Sequence, residues 1–127
     1  MGRVWNSGRE SRLLDDIISG GKTIEGRINR GKFVEYAVGD FVKLRRDIRD
    51  ASGKLQDGAT GEVEVRIIGI RPYRSFLDMV TAEGYERIIP HAKSNHQAAV
   101  EYDKYYSKDD QREFGVLAIE VVFERLL

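Results

Sequence analysis

The sequence predicts an α+β domain in which a small mixed or antiparallel barrel carries helices on its outside. Three observations lead there. An amphipathic segment near the N-terminus stops at a glycine pair, alternating segments then follow one another through turn-rich links, and two segments with helical start signals precede a last, nearly continuous apolar strand. Strands linked without regular helical crossovers favour a barrel over a doubly wound sheet, because consecutive parallel strands need a crossover of helix length.

Each element has its own signature. In "ESRLLDDIISGG", Leu13, Leu14, Ile17 and Ile18 share one helical face, and Gly20 with Gly21 supplies a left-handed stop. "KTIEGRI" alternates Ile24 and Ile28 against Glu25 and Arg27, as a short strand does. "VGDFVKLRRD" follows a Gly-Asp turn and sets Val42 and Leu44 against Phe41, Lys43 and Arg45. Ser52 to Gly61 is dense in turn residues and reads as a hairpin loop, after which Val63, Val65 and Ile67 mark a returning strand.

Ser75 with Asp78, and Ser94 with Gln97, are capping-box-like starts of two helices. The first turns Phe76, Met79 and Val80 inward; the second is expected to run on through Tyr102, Tyr105 and Tyr106. Asp109, Asp110 and Glu113 read as a solvated loop. "EFGVLAIEVVFERLL" reads as a strand through Phe123, apolar enough to be buried on both faces.

A chain of 127 residues suits one domain, 1–127, around one core. With 33% charged and 41% apolar residues it is too apolar for disorder and too charged for a membrane protein, and no apolar run approaches the ~18 residues of a spanning helix. A soluble, cytoplasmic protein with no membrane partner is expected. The absence of cysteine excludes disulfides and thiolate chemistry. The formal charge of zero hides a gradient: residues 1–50 hold 11 Lys and Arg against 8 Asp and Glu, the remainder 10 against 13. A protein devoted to long duplex DNA is usually more basic than this, so a local basic patch is the larger expectation.

The densest charge lies in "SGGKTIEGRINRGK". Glu25 and Arg27 are two apart on a strand and leave the same face, with Lys22 at the junction before them. An ammonium and a guanidinium for phosphate or carbonyl oxygens, beside a carboxylate that accepts N–H donors, make a recognition set for a nucleobase or nucleotide. The plainer reading is a Glu25–Arg27 ion pair. Arg30, Lys32, Lys43, Arg45, Arg46 and Arg49 follow, with Lys43 and Arg45 flanking Phe41 on one strand face, a pattern of cations and aromatic suited to single-stranded nucleic acid. Tyr73 offers a stacking surface, and Trp5 stands ahead of the first helix, at a cleft edge. His91 and His96 lack the spacing of a helical metal pair, so neither a metal nor a cofactor is expected.

The stretch "SGGKTIEGR" resembles the G-x-K-x-x-E-x-R signature of the ASCH domain (activating signal cointegrator homology), with Gly20, Lys22, Glu25 and Arg27 on the four marked positions. "VGDFVKL", "YRSFLDMVTAEGYERIIP" and "YYSKDDQREFGVLAIEV" resemble further family segments in the correct order. The resemblance implies a β-barrel of the PUA-like superfold, whose other members bind RNA, with a cleft at the signature. It also implies a choice among nucleic-acid binding, ribonuclease action and hydrolysis of N4-acetylcytidine. In the amidohydrolases a lysine, a threonine three residues on and a later glutamate are taken as catalytic. Lys22 matches the first and Glu83 the last, but Glu25 occupies the middle position, where a carboxylate does not replace a hydroxyl nucleophile.

The expectation is therefore a cleft of Lys22, Glu25, Arg27, Tyr73 and Glu83 that binds single-stranded RNA or a nucleoside or nucleotide ligand. Arg30, Lys32, Lys43 and Arg45 lie along the nucleic-acid backbone. Lys22 and Glu83 are the catalytic candidates of the amidohydrolase and ribonuclease alternatives. A protein adaptor is the remaining alternative, in which Lys22 and Arg27 are spent on internal pairs.

Overall fold

The computed structural model describes residues 2–58 and 61–127. Its order is β1 (Val4–Glu10), α1 (Ser11–Ser19), β2 (Ile24–Ile28), β3 (Phe41–Arg49), β4 (Leu55–Gln56), β5 (Gly61–Tyr73), α2 (Phe76–Glu83), α3 (Asn95–Asp103), α4 (Lys108–Phe114) and β6 (Val116–Leu126), with 3-10 turns at Gly31–Glu35 and Tyr85–Arg87. The six strands form one mixed sheet along the path β1-β3-β5-β6-β2, with β4 an offshoot of β3. Only β1 and β3 run parallel, Val4 opposite Phe41 through Glu10 opposite Asp47; the other pairs are antiparallel.

The α+β class stands, and so do the three expected helices; a fourth, α4, is additional. The expected small barrel is not shown, since no backbone ladder joins β1 to β2 among the described residues and the sheet is open. Those two edge strands are instead bridged by side chains: Arg9 Nε donates to Glu25 Oε1 at 2.7 Å, and both side chains are buried.

The two faces of β2 and β6 carry two cores. On one face Leu117, Ile119 and Val121 join Val42, Leu44, Val65 and Ile67, and Leu14 and Ile17 of α1 pack against them. On the other, Ile24, Ile28, Val116 and Ala118 meet Phe76, Met79, Val80 and Tyr102 of α2 and α3. This is why Val116–Ile119 are all buried, as the apolar run predicts. From Val122 onward the strand is exposed.

Local signals act as expected at several ends. Gly20 takes φ 88° and its N–H caps Ile17 O; Ser75 and Ser94 accept from Asp78 N and Gln97 N. Three readings are corrected. Asp109, Asp110 and Glu113 belong to helix α4, capped by the Ser107 hydroxyl accepting from Asp110 N, with two carboxylates favourably placed in its first turn. Helix α3 ends at Asp103, so Tyr105 and Tyr106 lie in the turn beyond it. The loop expected over Ser52–Gly61 contains the short β4; its residues 59 and 60 lie outside the described residues. Among the described residues no helix is long and apolar enough to cross a membrane.

Candidate functional site

The turn at Gly20 and Gly21 returns the chain from α1 into β2, and this reversal aims Lys22 inward. Its Nζ donates to Ile24 O at 2.7 Å and to Ile88 O at 2.5 Å, and the residue is 3% exposed. Burial is the larger influence on its ammonium and lowers the pKa to about 8, while Glu25 pulls the other way.

Along β2, Glu25 lies opposite Ile119 and Arg27 opposite Leu117, so both side chains face the first core. Glu25 Oε1 accepts from Arg9, and Oε2 lies 3.3 Å from Arg27 Nη2. Arg27 Nη1 also donates to Gly26 O. Four buried or nearly buried ionic groups, three of them cations, thus meet where the sheet's two edges approach. Isolated charges are costly to bury, and this one carboxylate is shared between two guanidiniums.

Arg9, Glu25 and Arg27 line a hollow with Phe33, Tyr36 and an apolar floor that includes Val65 and Ile119; Lys22 does not line it. Its volume is about 20 Å³, room for one water and too little for a base. Tyr36 caps it: the ring lies 4.9 Å from Trp5 and 5.1 Å from Phe33, and burial pushes the phenol up to about 12. Trp5 is fixed by its Nε1–H donating to Asp40 Oδ2 at 2.9 Å.

Glu83 and Tyr73 belong elsewhere. Glu83 sits at the end of α2, where Arg71 Nε and Nη2 donate to its two oxygens at 2.6 and 2.9 Å and the Tyr73 hydroxyl donates at 2.5 Å. The Arg71 bonds, above all, hold its carboxyl below the usual range. No hydrogen bond or ion pair among the described residues joins it to Lys22, and it is not among the groups that shift the Lys22 ammonium. Thr23, beside Lys22, has a buried hydroxyl with no partner among the described residues.

The basic residues divide. Lys43 and Arg45 lie with Asn6 and Ser7 along an open groove of about 320 Å³ that also includes Asp57. Strand alternation puts this groove across the sheet from Val42 and Leu44, so edge strand β1 separates it from the hollow. Arg45 is engaged by Asp47 and Asp57, whereas Lys43 makes no ion pair among the described residues. Lys32 straddles that edge, donating to Asn6 O at 2.6 Å; burial first, then Arg9 and Arg45, lower its pKa. Arg30 stands apart, 3.2 Å from Asp110 and over the Phe114 ring. His91 is spent on Asp16 at 2.7 Å.

Arg9 and Tyr36 were not foreseen. Arg9 follows Trp5 and Ser7 on the inward face of β1, a succession with no apolar alternation to announce a strand. Tyr36 lies in an irregular segment, where periodicity has nothing to say.

The family model described as the ASCH domain matches residues 10–125. Among solved structures, the hypothetical protein PH0355 is 29% identical with a TM-score of 0.79, covering 95% of this chain and 99% of its own. Protein PF0455 from Pyrococcus furiosus is also 29% identical, with a TM-score of 0.72 over 94% and 96% of the two chains. The S128A mutant of ZmASCH from Zymomonas mobilis shares the fold at 11% identity, TM-score 0.52, covering 96% of this chain and 71% of that one. No curated protein matches the chain.

Proposed function

The chain belongs to the ASCH domain family, and from that membership together with the buried ionic cluster we propose that it binds single-stranded RNA or a modified nucleoside at the junction of β1 and β2. The carrying observation is the shared carboxylate: Glu25 lies between Arg9 and Arg27 at the mouth of a hollow, with a further buried cation, Lys22, nearby. Ionic groups that cost so much to bury cluster where ligands are read. In this reading a base enters the hollow as the aromatic cap moves away, and the strand crosses the β1 edge so that Lys32, Lys43 and Arg45 meet phosphates. The ladder gap between β1 and β2, bridged among the described residues by side chains, is where the open sheet would admit a ligand.

Salt-dependent anisotropy of a labelled single-stranded RNA tests the reading. Binding that weakens steeply between 50 and 200 mM salt, as roughly expected when several phosphates are neutralised, supports it; binding of neither RNA nor nucleosides overturns it.

Amide hydrolysis is the second reading, favoured by one observation: a Lys22 ammonium lowered to about 8 is close to the range for general acid–base work. Against it stand Glu25 at the nucleophile position and a Glu83 carboxylate saturated by Arg71 and Tyr73. Release of cytidine from N4-acetylcytidine, abolished by Lys22→Met, would establish this reading in place of simple binding.

A further inference from the structure

The segment from Gly31 to Gly39 has the construction of a lid. It joins β2 to β3 and covers the hollow through two rings, Phe33 and Tyr36, while Val34 and Val38 face solvent at 61% and 63% exposure. Both ends are glycines in the left-handed region, Gly31 at φ 61° and Gly39 at φ 96°, with no atom within 4 Å of where a Cβ would stand. Such residues absorb backbone rotation without collision. The stretch Ala37–Asp40, beyond Tyr36, is anchored, so Gly31 is the free pivot: the Asp40 carboxylate accepts from Ala37 N and Arg3 N at 3.0 Å each and from Trp5 Nε1, and Gly39 N donates to Ile67 O at 2.8 Å. The segment's rings fasten it to the molecule, Tyr36 within the first core and against Trp5, Phe33 packed on that core beneath Arg27, while its polar ties are slight. Lys32 donates to Asn6 O, and Glu35 meets Arg3 in an exposed pair at 3.4 Å.

One group on this lid is unspent. The Tyr36 hydroxyl is buried, belongs to a residue 9% exposed that lines the hollow, and has no hydrogen-bond partner among the described residues. A buried hydroxyl without a partner is costly, and this one borders a hollow with room for one water, which a ligand oxygen could replace. Its surroundings say what it can take. Arg9 and Arg27 supply donors, and Glu25, the carboxylate among the described residues lining the hollow, is already shared between them. What is missing is an acceptor.

We propose that residues 31–36 form a hinged lid over the hollow, and that the Tyr36 hydroxyl is a specificity-determining donor to an acceptor oxygen, a carbonyl or phosphoryl group, of the ligand on which the lid closes. The proposal rests on the nucleotide-binding reading for the identity of the ligand, but not for the lid. Opening explains how a hollow of about 20 Å³ admits anything larger than water. It also makes Trp5, the one tryptophan of the chain, a fixed reporter beside a moving ring.

Two measurements on the full chain test this. Amide hydrogen exchange without any ligand examines the lid alone: the Tyr36 amide is expected to exchange through an opening at least tenfold more populated than global unfolding. Exchange of that amide only through global unfolding overturns the lid. Hexauridylate and free uridine then serve as probes for Tyr36→Phe, which keeps the ring and removes the hydroxyl. The variant is expected to bind at least fivefold more weakly, to melt no lower than the parent, and to keep the Trp5 fluorescence change at saturating ligand. Affinity within twofold of the parent overturns the role of Tyr36 and leaves the RNA reading intact. Failure of the parent to bind either probe sinks both. A hydroxyl that merely holds a trapped water would alter melting and leave affinity unchanged, which also overturns the proposal.

Discussion

Arg9 Nε and Glu25 Oε1 lie 2.7 Å apart between β1 and β2, the two ends of the strand path, which no backbone ladder joins among the described residues. The pair therefore acts as a clasp between β1 and β2 and as one wall of the hollow. Breaking a buried pair from one side costs up to about 3 to 5 kcal/mol, less for Arg9→Met, which leaves Glu25 its Arg27 partner, than for Glu25→Gln. Arg9→Met and Glu25→Gln should each lower urea stability accordingly, and the double variant by clearly less than the sum. Additive losses would show that the two groups do not interact.

Lys22 makes stability depend on alkaline pH in a defined direction. Its folded-state pKa of about 8 lies below the ordinary 10.5, so between these values the unfolded chain holds a proton that the folded chain has released. Stability from this group must then rise from pH 8 to 10, by an amount on the order of 3 kcal/mol when the window is fully crossed. The comparison is parent against Lys22→Met, which cancels other titrations. The difference should move in the parent's favour as pH rises, and a flat difference would mean an unshifted lysine.

Gly26 faces the second core on the strand between Glu25 and Arg27. A Cβ there would stand 2.7 Å from Tyr102 Oη and 2.9 Å from Met79 Cε, where Tyr102 is itself stacked on Phe76 at 4.2 Å. Gly26→Ala should cost roughly 1 to 3 kcal/mol through overpacking. Thermal melting checks it, and an unchanged midpoint would mean that α3 stands further from β2.

Lys43 and Arg45 should contribute to RNA affinity through charge. Replacing Lys43 with alanine is expected to reduce the slope of log affinity against log salt by about 0.7, the single-strand value per phosphate contact, without changing the preferred base, and replacing Arg45, held by Asp47 and Asp57, by less. Arg30, paired with Asp110, should have less effect.

Much of this was legible in the residues, and what was not has physical reasons. The first helix, its glycine stop, the starts of the two serine-capped helices and the buried first half of the final strand are local features whose periodicity and capping survive folding, whereas the exposure from Val122 onward was not legible. Placing Glu25 and Arg27 on one face needed only the strand period. The strand at Val4–Glu10 escaped because its inward set, Trp5, Ser7 and Arg9, is mixed in polarity and is held by parallel pairing to β3. Helix α4 was obscured by the acidic run that stabilises its first turn. Glu83 seemed poised for chemistry because nothing local announces Arg71, twelve residues earlier on β5, as its partner. The openness of the strand path is likewise a long-range property that alternation cannot report.

The central claim, that the β1–β2 junction is where a ligand is read, is tested most directly by following backbone amide signals of the labelled protein while single-stranded RNA or uridine is added. The account predicts that the largest shifts fall on Arg9, on Glu25 to Arg27 and on Phe33 to Tyr36. Shifts confined to the outer surfaces of α2 and α3, or none at saturating ligand, would contradict it.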